Sequence, residues 1–537
     1  MAGQFSAQPA LAANLPTLLS HMGLLDPDGN SQDEHQVSGA PIFTESVRKY
    51  AQGPGNRPFQ QYGLLGGDSV KMASSSVFTG SLVAADNDPR IFYNVAAPAS
   101  VFVCGSQGSG KSHTLSCILE NCLIPSPASV LPRPLTGIVF HYDTFVSDTG
   151  GAPCEAAYLA SSKGVQVRVL CPPTNIVKIK KIYSALPRVT VEELRLDESD
   201  LNTKRMLDLM AVSSVQGGGM PLYLHVVTRI LRDLRILQQK AGGNFNYTAF
   251  RRELELQDLA PGQMGPLQQR LDTLESFMPQ QQVQTPSKKQ NGAAPAPAKR
   301  AGNVWTPKAG QLTIIDLSCP CITQEAACAL FNICLSLFLE QNSQIGRIIA
   351  LDEAHKYMTD SDECATLTET LLATIRLQRH LGTRVVISTQ EPTVSPKLLD
   401  LCSITIVHRF TSPDWFRSLK QHLAGANNLA QGMDGTSVIS TGEGLLFSPS
   451  ALIGLARGWS SSALNAPFGN ESPDALIDLL GEGSGLKHDG PRSTAAARDL
   501  KNGSMTDMKP VPLGPKPLKI RVRKRITADG GRTIMAA

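Results

Sequence analysis

The sequence predicts an α/β fold: a doubly wound, mostly parallel sheet with a helical insertion and disordered segments. Three observations carry that expectation. Short runs that are apolar nearly throughout (VFVC, GIVFHYD, QLTIIDLS, RIIAL, RVVIST, SITIV) alternate with helical stretches, as strands buried on both faces should. A glycine-rich loop, Gly105-Ser-Gln-Gly-Ser-Gly110-Lys111-Ser112, joins the first of these runs to a helix. Two acids, Asp352 and Glu353, end a later run.

The chain has 537 residues, 42% hydrophobic and 18% charged, enough for two or three average domains or one large domain with insertions. Net charge is +4, nearly balanced, so nucleic-acid binding has to be argued from local patches. The eleven cysteines are scattered, and only Cys319 and Cys321 stand close, with no second pair at zinc spacing. They read as reduced, mostly buried thiols of a protein in the cytoplasm or nucleus. The N-terminal MAGQFSAQPALAANLP has neither the basic start nor the apolar centre of a secretory signal. No run approaches the roughly 20 apolar residues that span a bilayer, so no membrane partner is expected.

Taken in order, residues 1–70 are rich in Gly, Pro, Gln and Ser and read as a loosely ordered lead-in. Residues 71–172 hold the first part of the core, from a strand expected at Ser76–Ala84 to VQVRVLCPP, where two prolines stop a strand. Residues 173–278 read as the helical insertion. There Thr190 and Glu193 make a capping-box pattern. Leu222, Tyr223, Val226, Val227, Ile230, Leu231 and Leu234 recur at helical spacing, with Arg229, Arg232 and Arg235 between them. The polar, Ala/Pro-rich stretch over 279–308 reads as a disordered linker. Residues 309–458 hold the second part of the core, with GEGLLF as one more strand; 459–512 is a flexible linker and 513–537 a basic strand or tail. In that tail Lys519, Arg521, Arg523, Lys524 and Arg525 make either an edge strand guarded by charge or a patch for phosphate contact or nuclear addressing.

The loop fits G-x-x-x-x-G-K-[ST]. Its glycines let the backbone curl so that successive amides meet phosphate oxygens, and the helix starting near Lys111 adds its positive end. Lys111 should reach the β- and γ-phosphates and Ser112 should ligate Mg²⁺. ATP and Mg²⁺ are the expected cofactors, held by Gly105, Ser106, Gln107, Gly108, Ser109, Gly110, Lys111, Ser112 and His113. The absence of an N-K-x-D motif disfavours GTP. Asp352, at the C-terminal end of a buried strand, should hold the Mg²⁺ water shell, and Glu353 should polarise the attacking water. Gln390 follows RVVIST; its amide donates and accepts, so it can sense the γ-phosphate or orient water. Arg376 and Arg379 close a helix and Arg409 closes a strand; they either answer a helix end or reach a neighbouring subunit's phosphates.

Asp352 to His355 spell D-E-A-H, the tag of a helicase class. That class needs a second domain of the same kind after the motif, and a Ser-Ala-Thr motif where this chain has ISTQEP. The remaining chain is too short for such a domain, so the tetrapeptide is a coincidence of letters.

Four blocks, VCGSQGSGKS, IIALDEAHKYM, RLQRHLGTRVVISTQEPTVSPKLL and SITIVHRF, resemble the HerA/FtsK superfamily of P-loop ATPases, its HerA-like branch above all. In the third block Arg376, Arg379 and Gly382 match a helix-ending arginine turn, and Thr389, Gln390 and Pro392 match T-Q-x-P; Gly442 and Glu443 resemble a late glycine–glutamate turn. The likeness spans Val77–Pro172 and Gln311–Phe447. The resemblance implies a RecA-like ATPase core, a hexameric ring, and ATP-driven movement of DNA through a central pore. It implies active-site duty for Lys111, Ser112, Asp352, Glu353 and Gln390. Of the family's D-x-x-G-E-Y-like turn, HYDTFVSD keeps only Asp143, and the linker and low-complexity ends point to a divergent, eukaryotic member. The rival reading is a nucleotide-gated binding or scaffold protein with weak or no turnover.

Overall fold

The computed structural model describes residues 36–52, 58–74, 88–144, 151–210, 222–283, 302–359, 361–410, 412–423, 439–457 and 508–530. They build one mixed sheet of sixteen strands. In chain order these are β1 (Ile42–Thr44), β2 (Tyr62–Asp68), β3 (Arg90–Asn94), β4 (Ser100–Cys104), β5 (Ser129–Val130), β6 (Thr136–His141), β7 (Gln166–Cys171) and β8 (Val189–Glu193). There follow β9 (Gln311–Asp316), β10 (Arg347–Leu351), β11 (Thr383–Thr389), β12 (Ile404–Val407), β13 (Glu443–Phe447), β14 (Leu452–Arg457), β15 (Met508–Pro512) and β16 (Leu518–Val522).

One half is wholly parallel, in the order β12-β4-β11-β10-β6-β9-β7-β8. The other half continues from β12 through β13, β16, β2, β3 and β1 by antiparallel pairs. Along each parallel strand successive side chains face opposite ways. Ile348 and Ala350 of β10 therefore enter one core, with Val101 and Val103 of β4 and with Leu115 and Ile118 of helix α1 (Lys111–Leu123). Ile349 and Leu351 enter the other, with Phe102 and Phe140. Apolar cores lie on both faces of the sheet and take in helices, so the α/β, doubly wound expectation is met in the parallel half.

The second core takes in α2 (Leu222–Ala241), α3 (Tyr247–Glu255), α4 (Pro261–Phe277), α5 (Gln324–Glu340) and α6 (Asp362–Arg376). The apolar stripe of α2 is buried at Tyr223, Val227, Ile230 and Leu231, while Arg229, Arg232 and Arg235 stay outside. No helix among the described residues is long and apolar enough to cross a membrane.

Five expectations need correction. Within residues 1–70, β1 and β2 are ordered parts of the sheet: Phe43 is fully buried and stacks on Phe59 at 3.7 Å, an aromatic anchor that a Gly/Pro-rich composition hides. Thr190 and Glu193 do not start a helix but lie in β8, where the alternating V-T-V-E pairs with β7. The linker over 279–308 begins as a short helix, Gln280–Val283, and ends with Trp305 buried in the second core. The basic C-terminal strand β16 is no edge: it lies between β13 and β2, with Ile520 and Val522 buried. The strand expected at Ser76–Ala84 lies outside the described residues, as does 459–507 of the flexible linker expected over 459–512, whose last five residues instead form β15, paired with β14.

Strand register sets up the site. Cys104, the last residue of β4, pairs with Thr389, and Leu351 pairs with Ile387. The glycine loop, Gln390 and the acid pair therefore leave adjacent strands at one sheet edge, where ligands of open α/β sheets bind.

Candidate active site

The loop is pinned onto β12. A β-carbon on Gly105 would lie 2.6 Å from Ser109 Oγ and 2.7 Å from His408 Cβ, so no larger residue fits. Gly110 caps α1 with φ 112°, a left-handed conformation glycine adopts at little cost. Ser106 donates through both its amide and its hydroxyl to the Arg409 carbonyl, each at 2.9 Å. His408 supports the first turn of α1: its Nδ1 lies 2.7 Å from the Glu443 carbonyl and its Nε2 lies 2.9 Å from Thr114 Oγ1. A carbonyl only accepts, so Nδ1 carries the proton and Nε2 accepts from the hydroxyl. Burial holds His408 down to about 4, which keeps it neutral. The first-turn amides of α1 have no acceptor within the helix, an arrangement that with the helix dipole suits an anion.

Lys111 is buried; its Nζ donates to the Ser106 carbonyl at 3.2 Å and stands 3.9 Å from Glu353 Oε1. Burial pulls its pKa below the usual lysine value, against the charges of Glu353 and Asp352. Glu353 has φ 49° and ψ 47°, a left-handed backbone that costs a residue with a β-carbon about 1–2 kcal/mol. Arg188 is the other non-glycine residue with positive φ among the described residues. In return Glu353 Oε2 accepts from Gln390 Nε2 at 3.0 Å and lies 3.4 Å from His355 Nδ1.

Asp352 is buried too. Its Oδ2 lies 3.2 Å from His141 Nδ1 and 3.8 Å from Cys154 Sγ. Burial works against the charged form of His141, yet Cys154 and Asp352 raise its pKa well above the ordinary value. The other oxygen, Oδ1, is buried and has no hydrogen-bond partner. Such an atom costs about 1–3 kcal/mol unless something satisfies it, and a water of a hydrated divalent cation would. Asp352 and the Ser112 hydroxyl, in the first turn of α1, are hard oxygen donors of the kind that Mg²⁺ takes. His141 and Cys154 escaped the sequence reading because they stand 211 and 198 positions from Asp352, with no local signal. For His408, position at the end of SITIV was the only clue.

Lys111, Asp352, Glu353 and Gln390 thus converge. Gln107 and Gly108 are exposed on the loop. The His113 side chain turns away, its Nε2 lying 2.8 Å from the Arg523 carbonyl. Arg376, Arg379 and Arg409 are all exposed, and Gly382 closes the arginine turn with φ 59°. Asp143 accepts from Lys356 Nζ at 3.2 Å.

No family model matches the chain, and no curated protein does. Solved structures match at a distance. VirB4 of Thermoanaerobacter pseudethanolicus is 11% identical with a TM-score of 0.36, over 72% of this chain and 93% of that one. The cytoplasmic domain of the Type VII secretion ATPase EccC of Thermomonospora curvata is 13% identical with a TM-score of 0.25, over 72% of this chain and 27% of that one. The genome packaging NTPase B204 of Sulfolobus turreted icosahedral virus 2, in complex with ATP-gammaS, is 12% identical with a TM-score of 0.20, over 26% of this chain and 62% of that one.

Proposed function

We propose that the chain is a P-loop ATPase that hydrolyses MgATP and works as an oligomeric motor on DNA, a hexamer by its HerA/FtsK resemblance. The observation that carries this reading is the set around Glu353. A carboxylate is held in a costly backbone conformation, bonded to the Gln390 amide at 3.0 Å and 3.9 Å from the loop lysine. Costly backbone held by its surroundings is typical of reacting sites.

In this scheme the curled amides from Gly105 to His113 grip the phosphates, and Lys111 leaves the Ser106 carbonyl for the β- and γ-phosphate oxygens. Glu353 takes the proton of the attacking water, which Gln390 orients from the side of β11. His141 and Cys154 hold Asp352 by one oxygen, which would leave the other to accept from the water shell of a bound metal. Mg²⁺, when bound, would neutralise charge on the phosphate oxygens. The exposed Arg376, Arg379 and Arg409 suit contact with a neighbouring protomer's nucleotide, where an arginine finger is worth about 10³–10⁵ in rate.

Phosphate release by the full chain, with mass photometry alongside, tests the reading. Release that needs Mg²⁺, stops in EDTA, rises with duplex DNA and accompanies ring formation is expected. Tight MgATP binding without release would favour the nucleotide-gated binding protein, and release from a monomer indifferent to DNA would remove the motor.

A further inference from the structure

All eleven cysteines are thiols, and ten of them lie inside the protein or part-way in; Cys321 is exposed. Two of the buried ones meet. Cys328 sits on α5 and Cys364 in the first turn of α6, and their sulfurs are 2.9 Å apart. Both also touch one atom: the Tyr357 carbonyl oxygen lies 3.0 Å from Cys328 Sγ and 2.9 Å from Cys364 Sγ. Tyr357 follows the acid pair by four positions and is itself fully buried.

Two unbonded sulfurs repel at this separation. A shared zinc ion does not explain the contact, because tetrahedral Zn–S bonds of about 2.3 Å hold two sulfurs well over 3 Å apart. A disulfide, at about 2.0 Å, needs the pair to close by less than an ångström. We propose that Cys328 and Cys364 are a reversible oxidation site, closing to a disulfide with a hydroperoxide as oxidant and tying α5 to α6 beneath the segment that follows Asp352 and Glu353. The inference stands on these two helices and does not rest on ATP hydrolysis.

The surroundings choose Cys364 as the attacking group. It lies at a helix N-terminus, and its contacts with Cys328, Ser361 and Thr359 outweigh burial and bring its thiol down to about 6. It is also nearer water, beside the part-exposed Thr359 and Ser361. The Cys364 thiolate attacks one peroxide oxygen: an S–O bond forms, the O–O bond breaks, and hydroxide leaves and takes up the thiol's proton as water. The Cys328 sulfur then attacks the sulfenic sulfur: the S–S bond forms, the S–O bond breaks, and a second water leaves with the Cys328 proton. Two thiols lose two electrons and two protons, and one hydrogen peroxide becomes two waters.

The test exposes the native full-length chain to graded hydrogen peroxide, alkylates remaining thiols after unfolding, and digests without reductant for mass spectrometry. The expected result is a Cys328–Cys364 peptide pair, lighter by two hydrogens and released by dithiothreitol, about tenfold more abundant than any other cysteine pair. Cys364→Ser and Cys328→Ala should each abolish it, and Cys321→Ser should leave it intact; two variants guard against one failing to fold. Oxidation confined to exposed Cys321, with Cys328 and Cys364 still alkylated, would overturn the proposal. So would a Cys364 that goes on to sulfinic acid beside an intact Cys328.

Discussion

Replacing Glu353 with glutamine is expected to slow ATP turnover by ~10²–10⁴-fold, the range over which a positioned general base acts. Affinity for MgATP should stay within about threefold, since the amide is isosteric and the phosphate grip is untouched. Glutamine keeps the shape and a hydrogen bond to Gln390, which now sits 3.0 Å from Glu353 Oε2. It loses the negative charge that the proposed base role needs, and it loses the charged partner 3.9 Å from Lys111 Nζ. Single-turnover phosphate release beside nucleotide binding separates the two effects. A variant that turns over within threefold of the parent would take the base role from Glu353.

The second large effect lies on the far end of the loop's helix. Glu120 of α1 has a fully buried side chain, and the C-terminal segment wraps it: Arg523 Nη1 donates at 2.7 Å, Thr527 Oγ1 at 2.5 Å, and the amides of Thr527 and Ile526 at 3.0 and 3.2 Å. Arg525, beside it, bonds Glu155. Removing one member of a buried ion pair strands the other, which costs about 3–5 kcal/mol. Glu120→Ala should therefore lose that much in urea unfolding at neutral pH and should loosen the segment from Arg523 to Gly530. Burial pushes the Glu120 carboxyl up, but Thr527 and Arg523 overcome it and hold it below the ordinary 4.5. A folded pKa below the unfolded one means the ionised form stabilises the fold. That contribution is complete above about pH 4.5 and fades as pH falls through the lowered value. Glu120→Gln should flatten the loss of stability on acidification below pH 4.5, and melts at neutral and acid pH check it. A loss under about 1 kcal/mol in either variant would reduce the cluster to the worth of a surface pair.

That cluster also marks where sequence reading stops. Gly105 to Ser112 were legible because the chemistry is local: curl, lysine and helix start are neighbours in the chain. Asp352, Glu353 and Gln390 were legible because a strand that ends in a polar group announces its edge. Glu120 and Arg523 were not, since nothing in KIRVRKR says that Ile520 and Val522 turn inward while Arg523 grips a helix 403 positions away. The basic run looked like a guarded edge or a phosphate patch, and it is an interior strand. The lead-in failed for the opposite reason: glycine and proline dominate its composition, but Phe43 and Phe59 hold it to the sheet. In TVEE, one pattern suited both a cap and a strand, and pairing with β7 decided it.

Nucleotide binding by Lys111→Ala bears most directly on the proposed phosphate grip, from which every other proposed role follows. Lys111 is buried in the loop, with Glu353 beside it, and it is the cation best set to meet a triphosphate. Titration calorimetry of MgATP into the parent and the variant should show affinity falling by about 10- to 100-fold, the worth of one hydrogen bond to a charged group. An affinity equal to the parent's would mean that the triphosphate is not held in the loop from Gly105 to Ser112.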